Sequence, residues 1–516
     1  MQQLNNSVVQ CLANCCGAVM CHHAAEEHQC GMGLRPLLSP INPSHEEPYL
    51  SLIHDGLPGR VSKKNVLVLG AGMAGMVAAS LLRRAGHKVQ LLEADSRVGG
   101  RLHTLRNSFS LGVYAEAGAM RIPTFHRLVT AYIDRFGLKT RRFINYCPEG
   151  YIYVNDVKVR HHQYLSNPDL LGYPVDKNER GLTAEQLLQR ATNEVILGAL
   201  SNPLERWPEI VNEFGEHSIH SFLRGPGQLS EGAVEMIGVL LDLEASFSTS
   251  FLESIRESLD INTDNDYLEI VGGTDQLAQG FLPELRDCLK LGARVVRVEQ
   301  SSRGVTAFTE DQEGRPSGDF SADCAVVTLP FSVLRNVEFS PRLSHCKRRA
   351  IRELNYDPAT KILLEFKSRF WERDGIVGGG SITDLPIRFS YYPSHGDSNV
   401  MLASYTWSND ALRWDALPKR DRVRFALRDV ARIHGQEVRD EFVGGASFSW
   451  NQSVYSQGGF ALFNPGQEGA LFEDSHSVED RLHFAGEHTT LTHAWVQGAV
   501  ESGIRAAAEV HVGVAQ

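Results

Sequence analysis

The chain has 516 residues, of which 42% are hydrophobic and 22% charged, so it is long enough for two or three globular domains. Its formal net charge of -11 gives a nucleic-acid-binding role no electrostatic support. The longest apolar run, Val66 to Leu82, is punctuated by glycine and alanine and fits a strand, a turn and a helix, so we expect no membrane-spanning segment.

Residues 1–60 are predicted to be a mobile leader and linker, because five prolines between Pro36 and Pro58 would interrupt any helix. Five of the nine cysteines lie between Cys11 and Cys30, but their spacing matches no standard zinc pattern, and we assign no metal site. The other four are scattered, as buried free thiols in a reducing compartment are. No secretory signal is evident, which leaves the compartment open, with the cytoplasm favoured.

A dinucleotide-binding pattern follows the linker. The apolar strand Asn65–Leu69, a helix and the strand at Lys88–Glu93 form a β-α-β unit. Between them, Gly70–Gly75 has the G-x-G-x-x-G spacing that permits a tight turn and brings a pyrophosphate to a helix N-terminus. Glu93 lies where an acidic residue binds ribose hydroxyls. The sequence therefore predicts a nicotinamide or flavin site.

An arginine in an apolar, proline-terminated setting comes next, at Arg121. A buried guanidinium needs a partner anion, and it binds carboxylates through two parallel hydrogen bonds. Arg121 therefore indicates a substrate that carries a carboxylate. A surface or phosphate-paired arginine is the alternative.

Helical spacing covers residues 166–262, where Thr183 with Gln186 is predicted to form a capping box and Ser230 to cap a second helix. The remaining predicted elements are strands at Ala293–Val298, Cys324–Leu329, Lys361–Phe366, Val400–Tyr405 and Leu482–Ala485, and a last helix at Val496–Val510.

The C-terminal elements favour a flavin. The last strand leads to Glu487, a carboxylate able to accept from ribityl hydroxyls, and the last helix starts at Val496. A helix N-terminus stabilises the negative charge of a reduced flavin ring. A further block, Arg97–Arg101, directly follows Glu93.

These three separated blocks resemble the flavin amine oxidase superfamily, and within it the L-amino acid oxidases, over about residues 60–510. The resemblance implies an α/β fold: a Rossmann-like FAD-binding domain, a mixed-sheet substrate domain and a helical insertion. FAD should be noncovalent, because Gly459 stands where related monoamine oxidases carry the flavin-linked cysteine. The FAD-contacting residues that it implies are Gly70, Gly72, Met73, Ala74, Gly75, Glu93, Ala94, Arg101, Gly118, Ala119, Met120, Arg121, Val295, Glu487, Val496, Gln497, Gly498 and Ala499.

The resemblance also implies domain boundaries beyond the leader. The FAD-binding segments would be 61–105, 263–345 and 476–516, the substrate-domain segments 106–165 and 346–475, and the helical domain 166–262.

The substrate site follows from the same resemblance. Arg121 and Tyr405 would hold the substrate carboxylate, and the carbonyl of Ala494 would accept from its amine. Lys361 would be bonded through a water to flavin N5 and help dioxygen react, and Trp495 would wall the site near the flavin. A core aromatic is the alternative for Tyr405 and Trp495, and a snorkelling residue is the alternative for Lys361.

Three acidic residues bear on substrate preference. Asp242, Glu244 and Glu257 lie where family pockets receive the substrate side chain, which would favour lysine-like or arginine-like substrates. Solvated acids on helix faces are the alternative. Glu257, or a neighbour, also stands where some venom-type members have a histidine, which puts a histidine base at that site in doubt.

The implied reaction is oxidation of an L-amino acid by dioxygen to a 2-oxo acid, ammonia and hydrogen peroxide. An amino acid 2-monooxygenase on the same scaffold, an amine or polyamine oxidase, and a flavoprotein that binds without turnover are the alternatives. We expect a homodimer with no nucleic-acid or membrane partner.

Overall fold

The structure, a computed structural model, describes residues 46–260 and 266–513. Its strands are β1 (Asn65–Leu69), β2 (Lys88–Leu92), β3 (Thr104–Leu105), β4 (Ala115–Glu116), β5 (Ile122–Pro123), β6 (Thr140–Phe143), β7 (Tyr151–Val154), β8 (Val157–Arg160), β9 (Tyr267–Ile270), β10 (Leu289–Lys290), β11 (Arg294–Ser301), β12 (Gly304–Glu310), β13 (Pro316–Ala322), β14 (Cys324–Val327), β15 (Glu338–Ser340), β16 (Tyr356–Asp357), β17 (Ala359–Phe366), β18 (Gly380–Thr383), β19 (Phe389–Tyr391), β20 (Val400–Trp407), β21 (Phe442–Ser449), β22 (Phe460–Ala461) and β23 (Leu482–Phe484). Its α-helices are Glu47–Asp55, Met73–Arg84, Arg127–Arg135, His161–Ser166, Ala184–Ser201, Pro203–Phe214, Ile219–Arg224, Glu231–Leu240, Phe251–Asp260, Gln276–Gln279, Leu282–Leu285, Phe331–Leu334, His345–Glu353, Ser408–Asp415, Lys419–His434, Val438–Glu441, Gln467–His476 and Val496–Val512.

A parallel five-stranded sheet, in the order β10-β2-β1-β14-β23, holds the dinucleotide pattern. Four of the five β1 residues are buried, as expected of a strand covered on both faces. The carboxyl ends of parallel strands meet at one edge of the sheet, where ligands of such folds bind. Gly70, Glu93, Thr328 and Glu487 therefore lie near one another.

A second sheet carries the residues predicted to act on substrate. Its seven strands have the order β21-β17-β20-β19-β18-β7-β8. Every residue of β17 is buried, including Lys361. In the antiparallel pairing of β17 with β20, Lys361 is directly opposite Tyr405, which places both side chains on the same face.

The helices between residues 184 and 260 include both predicted caps. Thr183 Oγ1 accepts from the N–H of Gln186, and the Gln186 side chain accepts from the N–H of Thr183, which confirms the capping box. Ser230 caps the following helix at Ala233 N–H, also as predicted.

One helix was not expected. Glu47–Asp55 is helical although the prolines of this segment predicted an interrupted linker. Pro48 lies in the first turn, where a proline costs no hydrogen bond because the first N–H groups of a helix have no partner within it. Tyr49 and Ile53 are fully buried, and Arg84 and Arg135 both donate to the carbonyl of Ile53.

Among the described residues, no helix combines the length and apolarity needed to cross a membrane, and no three His, Cys, Asp or Glu side chains come together as a metal site. Of the scattered cysteines, Cys147, Cys288 and Cys324 are buried free thiols, whereas Cys346 is exposed, contrary to expectation, on the amphipathic helix His345–Glu353. The cysteine cluster at 11–30 lies outside the described residues.

Candidate active site

The glycine loop leaves space for a ligand at the N-terminus of the Met73–Arg84 helix. Gly70 has φ of +104°, a conformation that favours glycine. A Cβ on Gly75 would lie 1.9 Å from the Gly70 carbonyl oxygen, whereas a Cβ on Gly72 would meet no atom within 4 Å. No side chain caps the helix, so its first N–H groups are available to phosphate oxygens.

These two glycines give a sharp test of the loop. We expect Gly72→Ala to keep the wild-type melting temperature of the cofactor-free protein but to lose bound flavin, because the added methyl occupies ligand space. We expect Gly75→Ala to lower the free energy of unfolding by about 3 kcal/mol, because the loop backbone must move. Thermal unfolding and the flavin-to-protein absorbance ratio measure both effects. A Gly72→Ala protein that retains full flavin would contradict a phosphate site at this loop.

Acidic side chains hold the surrounding backbone. Glu93 is buried and accepts from the N–H groups of Ala71 (2.7 Å) and Asp95 (2.8 Å). Burial raises its pKa, and these two hydrogen bonds oppose the rise. Ala94, the next residue, follows β2 at the same edge of the sheet. Glu93 therefore fixes the glycine loop besides facing the predicted ribose site.

Glu487 joins the last strand to two other parts of the site. Its carboxylate forms an ion pair with Arg101 at 2.7 Å and accepts from the N–H of Ala494 at 3.1 Å. The Arg101 carbonyl lies only 1.8 Å from the position of a Cβ on Gly118, so the Gly118–Met120 segment runs directly along Arg101.

A second helix N-terminus faces the same region at Val496. The Val496–Val512 helix has neither a side-chain cap nor an acidic residue in its first turn. Gly498 is required there, because a Cβ would lie 2.3 Å from the Thr492 carbonyl oxygen. Gln497 is buried and its side chain contacts Glu46 and the Val129 N–H, so its backbone remains to serve a cofactor. Ala499 lies in the same first turn.

Two uncapped helix N-termini and a glycine cradle fit a flavin dinucleotide, whose pyrophosphate and ring both need donors. Of the other residues predicted to contact it, Met73 and Ala74 open the first helix, Ala119 N–H bonds to Arg101 O, Met120 packs in a small apolar cluster, and Val295 is buried on β11.

Arg121 lies in a cage of neutral side chains. Its guanidinium donates to Asn145 Oδ1 (2.6 Å) and to the Tyr391 hydroxyl (2.8 Å), and it lies 5.4 Å from the ring centre of Tyr267. Among the described residues, no carboxylate forms an ion pair with it. A partly buried guanidinium that the described residues leave without a carboxylate partner is a site for an anion from outside.

Lys361 and Tyr405 lie next to this cage. The Lys361 ammonium donates to the carbonyl of Gly118 (2.6 Å) and lies 4.5 Å from the ring centre of Tyr405. Burial lowers the pKa of Lys361 and raises that of the neighbouring Glu116. Burial also raises the pKa of Tyr405, and Arg121 opposes the rise.

Trp495, Ala494 and Glu257 line one small cavity of about 10 Å³. Ala494 is exposed and has φ of +64°, a conformation that costs a non-glycine residue roughly 1–3 kcal/mol and is typical of functional sites. Its N–H is held by Glu487. The structure thus brings together two of the residues predicted to contact substrate with one of the three predicted acids.

Asp242 lies in a different group. Its carboxylate is 4.0 Å from the Arg388 guanidinium, which also pairs with Asp410 (3.3 Å) and Glu244 (2.7 Å). Burial raises the pKa of Asp242 to about 8, despite Arg388. Asp242 therefore already has a cationic partner in the chain, and it does not line the cavity beside Trp495.

Several site residues were not found from sequence. Asn145 and Tyr391 hold Arg121 from 24 and 270 positions away, and Glu116 accompanies Lys361 from 245 positions away. No local pattern marks such partners. A tyrosine pair at 391–392 or an acid ahead of Arg121 could have been flagged only as unassigned polar residues.

Comparison with known proteins agrees with this geometry. A family model described as flavin containing amine oxidoreductase matches residues 73–511. The YobN protein of Bacillus subtilis (strain 168) is 46% identical over 477 residues, 91% of this chain and 99% of that protein. An L-amino-acid oxidase of Siganus canaliculatus is 38% identical over 467 residues, 90% of this chain and 88% of that protein.

Among solved structures, cyclohexylamine oxidase from Brevibacterium oxydans IH-35A has a TM-score of 0.71 at 19% identity, with 87% of this chain and 99% of that one covered. The shared fold confirms the predicted α/β class. The cradle, the two helix N-termini and the matched length agree with the resemblance drawn from the motifs: the chain belongs to the flavin containing amine oxidoreductase family.

Proposed function

We propose that this protein is an FAD-dependent L-amino acid oxidase. It oxidises the Cα–N bond of an L-amino acid, water converts the imino acid to a 2-oxo acid and ammonia, and dioxygen is reduced to hydrogen peroxide. Relatives that span most of the chain, such as the Siganus canaliculatus L-amino-acid oxidase, support this activity.

The observation that carries the proposal is the neutral cage around Arg121. Asn145 and Tyr391 orient the guanidinium without neutralising it, so its charge is left for the carboxylate of the substrate. An amine oxidase substrate has no carboxylate and would gain nothing from this arginine. Product analysis separates the oxidase from an amino acid 2-monooxygenase, since only the latter would release an amide.

Each residue then has a role in positioning the substrate. Arg121 and Tyr405 hold the carboxylate, and the Ala494 carbonyl accepts from the amine. Trp495 walls the site, and Lys361 donates to the carbonyl of Gly118, in a segment whose residues would contact the cofactor. Bound FAD would supply the two-electron acceptor for the Cα hydrogen. Fixing the substrate in this way supplies most of the rate enhancement expected of the protein.

A peroxide assay across the L-amino acids, with one D-enantiomer as control, tests the function. We expect peroxide and the 2-oxo acid in equal amounts from L-amino acids and none from the D-enantiomer. Flavin that stays oxidised after anaerobic addition of each of the twenty amino acids would contradict the proposal.

We further propose that substrates with a basic side chain are preferred, because Glu257 lines the cavity next to Trp495. Glu257→Gln should lower kcat/KM for lysine or arginine by about 10-fold or more, the size of a partly desolvated charge pair, and leave leucine within about 2-fold. Asp242→Asn is the matched control, since Asp242 is already paired with Arg388 and should not alter the ratio of the two rates. Initial rates on arginine, lysine, phenylalanine and leucine provide the measurement. Rates that are equal, or higher for apolar substrates, would refute the preference.

The family resemblance also supports a homodimer as our proposal for the oligomeric state. Sedimentation of the flavin-loaded protein should give twice the chain mass, and a monomer at micromolar concentration would refute it.

A further inference from the structure

A buried histidine–carboxylate pair lies directly beside the Ala494–Trp495 segment. His493 Nδ1 and Glu253 Oε1 are 2.7 Å apart, and both residues are 5% exposed. Glu253 also accepts from the N–H of Phe463 and pairs with Arg256 at 3.1 Å. Burial alone would raise the pKa of Glu253, but His493, Arg256 and the N–H of Phe463 lower it below its usual range. Arg256 and the Phe463 N–H act whether or not His493 is charged, so the carboxylate stays ionised beside a neutral ring.

An ionised carboxylate fixes the tautomer of its histidine partner. It can only accept, so Nδ1 carries the proton and Nε2 of the neutral ring has a free lone pair. Nε2 is buried, and it has no hydrogen-bond partner within residues 46–260 and 266–513. This is the arrangement of an oriented base: a carboxylate holds one nitrogen and would stabilise the imidazolium, and the other nitrogen is left to take a proton.

The cavity next to this pair is the place where the base would act. His493 and Glu253 line it together with Arg256, Glu257, Ala494 and Trp495, and its volume of about 10 Å³ is close to the minimum that holds one water. In the proposed function, the Ala494 carbonyl marks the position of the substrate amine. The cavity therefore adjoins both Ala494 and His493.

The substrate has a proton to lose at this point. An amino acid arrives as a zwitterion, and its ammonium has no lone pair to form the imine. We propose that His493, oriented by Glu253, accepts this proton through one water in the cavity, an inference that rests on the proposed function. One N–H bond of the ammonium breaks, one Nε2–H bond forms, and no electrons are transferred; the proton returns to solvent after the product leaves.

Other charged or titratable groups lie around His493 and Glu253. Arg256 is held by Glu253 and Glu468, and Glu487 by Arg101. His488, on the preceding turn, is buried, and burial followed by nearby positive charge keeps its pKa well below the usual range, so it stays neutral. Glu257 is the other acid on the cavity and is tested separately.

The pH profile of kcat/KM tests the proposal with an enzyme whose flavin content and melting temperature are recorded for each variant. In the wild type, log kcat/KM should rise with slope one and then level off. His493→Asn should lose the plateau, since only substrate that is already neutral in solution can react, and should fall by ~10²-fold or more near pH 7. Glu253→Gln keeps a hydrogen-bond acceptor for Nδ1 but removes the charge that stabilises the imidazolium, so its acid limb should move to lower pH.

Two controls make the outcome decisive. His488→Asn removes a buried histidine of the same segment and should leave the acid limb in place. With leucine as the substrate, whose side chain does not use Glu257, Glu257→Gln should also leave it, and loss of the limb in that variant instead of His493→Asn would overturn the assignment. If His493→Asn fails to bind flavin, Glu253→Gln decides: an unshifted limb overturns the proposal.

Binding of the 2-hydroxy acid analogue of the best substrate gives a readout that is independent of turnover. The analogue has the carboxylate but no ammonium, so its Kd, from the flavin absorbance change, should be the same in the wild type and His493→Asn. A His493→Asn protein that has lost this binding as well would assign His493 a structural role and overturn the proposal. A wild-type protein that neither binds the analogue nor oxidises any L-amino acid would refute the proposed function itself.

Discussion

Replacing Arg121 with methionine should lower kcat/KM for L-amino acids by roughly 10²- to 10³-fold, the cost of about 3–4 kcal/mol for leaving one partner of a desolvated ion pair alone. Methionine keeps much of the side-chain length, so the cage of Asn145 and Tyr391 should persist. The loss should appear in both KM and kcat, since the guanidinium binds the carboxylate and also sets the direction in which Cα faces the cofactor.

The chain offers a matched control for this variant. Arg141 is similarly half-buried, but its partners are the protein's own carboxylates, Glu269 and Asp397. Arg141→Met should leave kcat/KM within about 2-fold, because ion pairs that are only partly buried contribute little. Arg121→Lys should lie between the two, since lysine retains the charge but cannot form two parallel hydrogen bonds to a carboxylate.

The same variant separates the proposed function from its nearest alternative. A primary amine without a carboxylate has no contact with the guanidinium, so Arg121→Met should not slow whatever residual oxidation it undergoes. Steady-state peroxide formation from an L-amino acid and from its decarboxylated amine provides the comparison. Unchanged turnover of the amino acid in Arg121→Met would remove the basis of the assignment.

Local sequence patterns were sufficient for the strand that leads into the glycine loop and for one helix cap. The strand Asn65–Leu69 and the capping box at Thr183 were predicted with the right residues, because an apolar run before a glycine turn and a paired cap are both determined within a few positions. The helix at Glu47–Asp55 was missed for a local reason too, since a proline at a helix start is compatible with the helix that it would break elsewhere.

The chemistry of the site is set by contacts that no local pattern contains. Arg121 depends on Tyr391 for its orientation, and His493 on Glu253, 240 residues earlier in the chain. Such pairs form only when sheets and helices pack, and a lone tyrosine or glutamate in the sequence does not indicate which partner it will meet. Asp242 illustrates the converse, because its position suggested a substrate contact and folding gave it Arg388.

Replacing Lys361 with methionine should leave flavin reduction by the substrate unaffected and should slow flavin reoxidation by dioxygen. We expect anaerobic reduction of the flavin by an L-amino acid to stay within about 3-fold of wild type, because Lys361 contacts backbone carbonyls and the Tyr405 ring, and the proposed anchor of the substrate is Arg121. Reoxidation by dioxygen should slow by ~10²-fold or more, since a buried cation stabilises the negative charge that forms when oxygen takes an electron.

The pH dependence of the reoxidation rate tests whether the charge of Lys361 causes this effect. Burial lowers the pKa of Lys361, so the side chain is charged at low pH and becomes neutral at a lower pH than an exposed lysine would. Reoxidation in the wild type should therefore be fastest on the acid side and decline as pH rises through that lowered pKa, whereas the reoxidation rate of Lys361→Met should be low and independent of pH.

Lys347 is the matched control: it is also fully buried with its pKa lowered to about 7, yet it donates to the carbonyls of Ser475 and Ser477, away from the site. Stopped-flow mixing of reduced enzyme with dioxygen measures the reoxidation rate of all three proteins. If Lys347→Met lost the pH dependence and Lys361→Met kept it, the titrating group would be Lys347, and the prediction would be contradicted.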